Sequence, residues 1–214
     1  MQVIERPVWR SFTEKWLKNA AEWVRRGGAA LVWRKTASVP SAWLLLPLDA
    51  DGAMPEMAYW ALLALYRDTY TAITRGHAKG LAWSRVQHAY EHEVELWCER
   101  DSVHLAPVRK LELDCLACGA CCEKNRVVLD GDDFARFTEA GRPELLKKPW
   151  VRTVKGVKLM ALQPNGKCVH LQHDNRCDIY ALRPDNCRWF PAGTEPCLIA
   201  RREERGWIDG AAPS

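Results

Sequence analysis

The sequence predicts an α+β chain, in which a helical N-terminal unit with one short strand pair packs on a small cysteine-rich domain. Three observations support that prediction. Apolar residues recur at the helical period through much of residues 1–105, with one pair of compact apolar runs among them. Eight of the nine cysteines lie beyond residue 114. Between those cysteines Gly and Pro are interleaved, which describes a site rather than a core.

Composition narrows the class. With 48% apolar and 27% charged residues, a chain of 214 residues can bury an ordinary core and is not of the disordered type. The eleven tryptophans are expected as core and interface fillers. The net charge of +4 is spread over pairs such as Arg25-Arg26, Lys147-Lys148 and Arg201-Arg202, which read as solvated faces. A nucleic-acid track needs a concentrated basic stripe, so nucleic acid is not indicated. The first residues lack the apolar core of a signal peptide, and the longest apolar run, Ala58 to Tyr66, is too short for a bilayer. The expected compartment is the cytoplasm, with no membrane contact.

The elements follow in order. Ser11 and Glu14 have capping-box spacing, and Phe12, Trp16, Ala20, Trp23 and Val24 then share one helical face that Gly27-Gly28 closes. Ala30 to Arg34 and Trp43 to Leu48, separated by Ser38 to Ser41, read as paired strands. Asp51-Gly52 and Pro55 announce a second helix to about Arg75, closed by Gly76 and Gly80. A third helix is expected from about Ser84, with Trp83, Val86, Tyr90, Val94 and Trp97 as its buried stripe. His88 and His92 stand four apart on its other face with Glu95 and Glu99, and a solvated face is the better reading. Cys98 borders the stripe as an inert thiol.

Ala106-Pro107 marks the expected seam, dividing residues 1–105 from a cysteine domain at 106–200 and a tail at 201–214. A strand from Leu105 to Leu113 leads into the cysteines. Beyond them Val127 to Leu129 reads as a strand, and Asp130 to Asp133 caps a short helix, Phe134 to Glu139. Trp150 to Leu162 reads as a hairpin turning at Lys155-Gly156, and Asn165-Gly166 as another tight turn.

Cys115, Cys118, Cys121 and Cys122 fall within eight residues, and Cys168, Cys177, Cys187 and Cys197 follow. In a reducing compartment such a set points to a soft metal, because thiolate is the preferred ligand of zinc and of iron in iron–sulfur clusters. Gly119 lets the chain turn tightly enough for amides to face sulfur, and Asn165-Gly166 can do the same for Cys168. Neighbouring side chains diverge, so Cys121 and Cys122 are expected to serve different centres or to bridge two metals. The run C-x2-C-x2-C favours iron, since the later spacings depart from a zinc ribbon. A dithiol pair at Cys118 and Cys121, a catalytic thiol served by His170 or His173, and structural disulfides stand as competing readings. Lys124, Arg126, Arg176, Arg183 and Arg188 lie beside cysteines; Arg183 and Arg188, flanking Pro184, are expected to stabilise thiolate charge.

The motifs Cys115-x2-Cys118-Gly-Ala-Cys121-Cys122, Gly166-Lys-Cys168 and Cys177-Asp-Ile-Tyr180 through Arg183-Pro184, Cys187-Arg188 and Phe190-Pro191 resemble the YkgJ family of cysteine-cluster proteins. The resemblance spans about Leu111 to Cys197 and implies a zinc- or iron-chelating domain. Its ligands would be Cys115, Cys118, Cys121, Cys122, Cys168, Cys177, Cys187 and Cys197. It implies no reaction. The expectation is a cofactor of iron–sulfur or iron, alternatively zinc, and a redox, electron-transfer or enzyme-accessory role with a protein partner. The alternatives are a zinc-scaffolded interaction module and an enzyme whose cluster keeps one coordination position open.

Overall fold

A computed structural model describes residues 2–36 and 39–209. Ser38 of the expected strand connection and residues 210–214 of the expected tail lie outside the described residues. The α+β class holds, and the expected strand pair is the centre of a larger sheet. Five strands lie in the order β2 (Trp9–Thr13), β3 (Ala29–Thr36), β4 (Val39–Pro47), β6 (Leu81–Arg85) and β5 (Thr71–Ala72). Only β2 and β3 run parallel, joined by helix α1 (Leu17–Arg25).

Alternation along β3 and β4 sorts the core onto two faces. Ala29 and Leu31 with Ala42, Leu44 and Leu46 meet α2 (Glu56–Ala64) and α3 (Glu91–Arg100) through Ala58, Ala61, Leu62, Val94 and Trp97. Ala30, Val32 and Leu45 meet Ala20, Ala21 and Val24 of α1 on the other face. Trp9 and Trp97 pack at 5.1 Å and Trp43 and Trp83 at 6.0 Å, so much of the tryptophan serves this sheet.

Three sequence expectations are corrected here. Ser11 lies in β2 and caps nothing; Glu14 pairs with Arg34 instead. The second helix stops at Ala64, where Tyr66 takes a left-handed φ of 53°, and its expected second half supplies β5. The third helix begins at Glu91, because residues 81–85 form β6. Trp83 joins the α1 side of the sheet and Val86 the α2–α3 side, so their three-residue spacing was no helical stripe.

Strand β1 (Gln2–Pro7) pairs antiparallel with β7 (Val108–Leu113), placing the chain start beside the entry to the cysteines. The rest behaves locally as expected. Asp130 and Asp133 form a reciprocal capping box on α5 (Gly131–Glu139). β8 (Val151–Val154) and β9 (Val157–Met160) turn through Lys155 and Gly156, both with positive φ, as a type I′ hairpin requires. Val127 to Leu129 contributes only a bridge from Val128 to Leu159. These segments share one small core of Val127, Leu129, Phe137, Leu145, Val151, Met160 and Ile179.

The last helix, α7 (Glu195–Arg205), joins the two regions. It packs on α2 and on the turn Ala120–Cys122, and Ile199 reaches the first sheet core. A buried, charge-balanced network anchors its first turn. Arg6 contacts Asp101 at 3.0 Å and Glu195 at 2.5 Å; Arg100 meets the same two carboxylates, and the Trp9 indole N–H donates to Glu195 at 2.8 Å. Burial by itself would raise Asp101, but the hydrogen bond from Arg100 and the charges of Arg6 and Arg100 outweigh it and hold its pKa at about 2. No helix is long and apolar enough to cross a membrane among the described residues.

Candidate metal centre

Local chemistry dictates how each cysteine is presented. Asp114 caps the one-turn helix α4 (Cys115–Cys118) by accepting from the amides of Leu116 and Ala117. Gly119 then takes φ +59°, and a Cβ there would lie 2.7 Å from the Asn175 carbonyl oxygen and 2.8 Å from Leu171. Only glycine fits, because the backbone is left-handed and the neighbouring chain already touches it. The turn Ala120–Cys122 follows, and the Cys168 amide donates to the Cys122 carbonyl at 2.9 Å. Cys187 sits on α6 (Asp185–Arg188), tied to α5 by Arg136 bridging Asp133 and Asp185. Cys197 lies in the first turn of α7.

The structure brings all eight cysteines of the second half to one cavity of about 490 Å³. Gln2 and Glu56 from the first half also line it, so the cavity lies where the two regions meet. Trp60 of α2 reinforces that junction by packing on Phe190 at 6.5 Å. Cys98 is elsewhere, packed against the first sheet core, where burial pushes its thiol up to about 12; the inert reading stands. His88 and His92 are exposed and pair with Glu91 and Glu95, a solvated face.

All nine cysteines are free thiols. Burial raises Cys115 and Cys168, and raises Cys177 and Cys197 to about 11 and Cys187 to about 12. Cys121 and Cys122 share a hydrogen bond that lowers the first to about 7 and raises the second, so the first thiolate of the set forms there. Amides do face sulfur, and the turn after Gly119 supplies one of them, the Cys121 N–H to its own sulfur. The N–H groups of His170, Ile179 and Gly193 bond to Cys168, Cys177 and Cys197. Two of these are donors two residues beyond their cysteine, a short loop whose N–H favours the charged form of sulfur against the larger effect of burial. Asn165-Gly166 makes a tight turn whose Gly166 carbonyl accepts from the Lys124 amide.

The cationic surroundings are partly as expected. Arg183 lines the cavity, lies over Tyr180 at 4.0 Å, and its charge favours thiolate at Cys115, Cys121, Cys177 and Cys187. Arg188 reaches the Ala181 carbonyl. Arg201 corrects the sequence reading: far from a solvated face, it is 2% exposed, lines the cavity and favours thiolate at Cys115, Cys121 and Cys197. Arg205 donates to the Cys118 carbonyl at 2.8 Å and to Glu123 at 2.5 Å. The signal for both was present, since Cys197, Arg201 and Arg205 recur every four residues and so share a helix face.

His170 is the other residue whose place the sequence left open. It is 1% exposed, lines the cavity, stacks on Trp150 at 4.9 Å and contacts Asp178 through Nδ1 at 2.8 Å. Burial lowers its pKa against the opposing pull of Asp178. His173 is exposed.

Eight sulfurs around one cavity, with amide and guanidinium groups offsetting their charge, form a donor set suited to soft or borderline metals. No curated protein and no solved structure matches the chain. Residues 114–209 match the family model CxxCxxCC, described as "Putative zinc- or iron-chelating domain". That segment, which holds every cysteine lining the cavity, is similar to this family of zinc- or iron-chelating domains, and the match supports metal binding by this part of the chain.

Proposed function

We propose that the eight cavity cysteines hold an iron–sulfur centre, and that the chain is a redox or electron-transfer component serving a protein partner. The observation that supports this reading is the spread of the sulfurs around their cavity. Among the described residues, no three of them lie within 4.8 Å of one another. Thiolates on a single zinc ion, each about 2.3 Å from the metal, would stand roughly 3.8 Å apart. Wider spacing leaves room for iron and sulfide between the thiolates. Bound there, such a group supplies reversible electron transfer.

The chain's own residues do the rest. Arg183 and Arg201 offset the negative charge of the thiolates, and the amides facing sulfur bind the charged form more tightly than the thiol. Ile179, Met160 and Phe190 line the cavity with apolar surface and limit water. Trp189, 70% exposed beside the same cavity, supplies a contact for the partner.

The zinc alternative draws on the capped knuckle Cys115–Cys118, a structural-zinc feature. Zinc would then only fold the domain, and the tryptophan-rich unit would bind a partner. Purification without air separates the two. Brown protein with iron, acid-labile sulfide and visible absorbance that bleaches on reduction is the expected result. Colourless protein with stoichiometric zinc and no sulfide overturns the iron–sulfur reading.

A further inference from the structure

The cavity wall contains a histidine with an unused nitrogen. The imidazole of His170 is buried among groups that occupy all of it but one nitrogen. Its Nδ1 meets the Asp178 carboxylate at 2.8 Å, and its ring face lies on Trp150, nearly parallel at an interplanar angle of 17°. Its Nε2 is buried and makes no hydrogen bond among the described residues. A carboxylate only accepts, so Nδ1 carries the proton and Nε2 presents a lone pair. Nearly all buried polar atoms in folded proteins are satisfied, and an orphaned imidazole nitrogen in a wall shared with eight thiols points to a ligand.

The arrangement has a known physical logic. A histidine that binds metal through one nitrogen almost always donates its other N–H to a carboxylate, which sets the tautomer and raises the donor strength. The backbone assists here. The His170 carbonyl accepts from the Asp178 amide at 3.0 Å, and Leu171 bridges to Cys177, so the two segments carrying imidazole and carboxylate are held side by side. The His170 amide faces the Cys168 sulfur, which places the ring within two residues of a cavity thiol.

We propose that His170 Nε2 is a nitrogen ligand of the metal centre in this cavity, with Asp178 as its positioning residue. The donor set is then mixed sulfur and nitrogen. This rests on the metal reading above but not on whether the metal is iron or zinc. Replacing a thiolate by a neutral imidazole at one metal removes a negative charge, and in iron–sulfur centres such replacement raises the reduction potential.

X-ray absorption at the edge of the bound metal, on the full-length loaded protein, tests the assignment. The wild-type spectrum is expected to need nitrogen from an imidazole beside sulfur. In H170A the imidazole scattering disappears, and added free imidazole restores it, which a merely structural histidine would not permit. D178N is expected to keep the nitrogen but bind metal about 10- to 100-fold more weakly. A wild-type shell of sulfur alone overturns the proposal without any variant having to fold. Protein that retains no metal on its cysteines would instead overturn the function proposed above.

Discussion

The two regions of this molecule are stabilised by different means. Around the five-stranded sheet, apolar side chains cover both faces, and Leu31, Leu44, Leu45, Leu46 and Leu62 are almost wholly inaccessible. In the cysteine region two modest clusters, one around Phe137 and Leu145 and one joining Leu111 and Leu113 to Cys197 and Leu198, stand in for a core beside a cavity ringed with thiols. A segment that leaves so much of its interior to sulfur, with short helices and bridges in place of a sheet, needs a cross-link to offset its chain entropy. Helix α7 and the Arg6–Asp101–Arg100–Glu195 network join the two, so the metal region is anchored on one that is stable by packing.

The contrast can be broken most directly by stripping the metal. Hydrogen exchange followed by mass spectrometry should show residues 114–209 losing protection while β3 and β4 keep theirs. Equal behaviour of both regions would erase the distinction. Next in size is Glu195→Ala, which leaves Arg6 and Arg100 buried without one of their two carboxylates and is expected to cost about 3–5 kcal/mol in denaturant unfolding. It should destabilise both regions, because this side chain connects them. Leu44→Ala sharpens the comparison from the other side. It should cost about 2–5 kcal/mol in the sheet, yet leave metal stoichiometry unchanged.

Acid provides a fourth measurement. The pKa of Asp101 falls from its ordinary 3.8 to about 2 on folding, so its contribution is complete above 3.8 and is lost as pH drops toward 2. About 2 kcal/mol of sheet-region stability should vanish across that window, and Asp101→Asn should flatten the profile there. The smallest effect is expected from Asp130→Ala, which removes the α5 cap and should cost about 1 kcal/mol, read as a lower thermal midpoint of the cysteine region.

Legibility followed the range of the interactions. The Asp130–Asp133 box, the Lys155-Gly156 hairpin and the strand entering Cys115 depend on contacts within a few residues or on simple alternation, and the sequence displayed them. Strand β6 was hidden because a strand buried on both faces loses its alternation, so Trp83 and Val86 passed for a helical stripe. Ser11 and Glu14 had capping spacing, but pairing with β3 drew Ser11 into a strand. Arg201 looked like surface charge until its helix face turned toward the thiols.

By itself the sequence determined the chemistry: eight soft donors, their order, and the glycine that only a left-handed turn beside Cys118 can use. Tertiary structure alone decided that these donors share one cavity, that Gln2 and Glu56 from the other region help to line it, and that a buried imidazole joins them. The physical reason is distance along the chain. Residue type and local turn follow from near neighbours, whereas convergence of segments distant along the chain is set by how sheet, ribbon and α7 pack together.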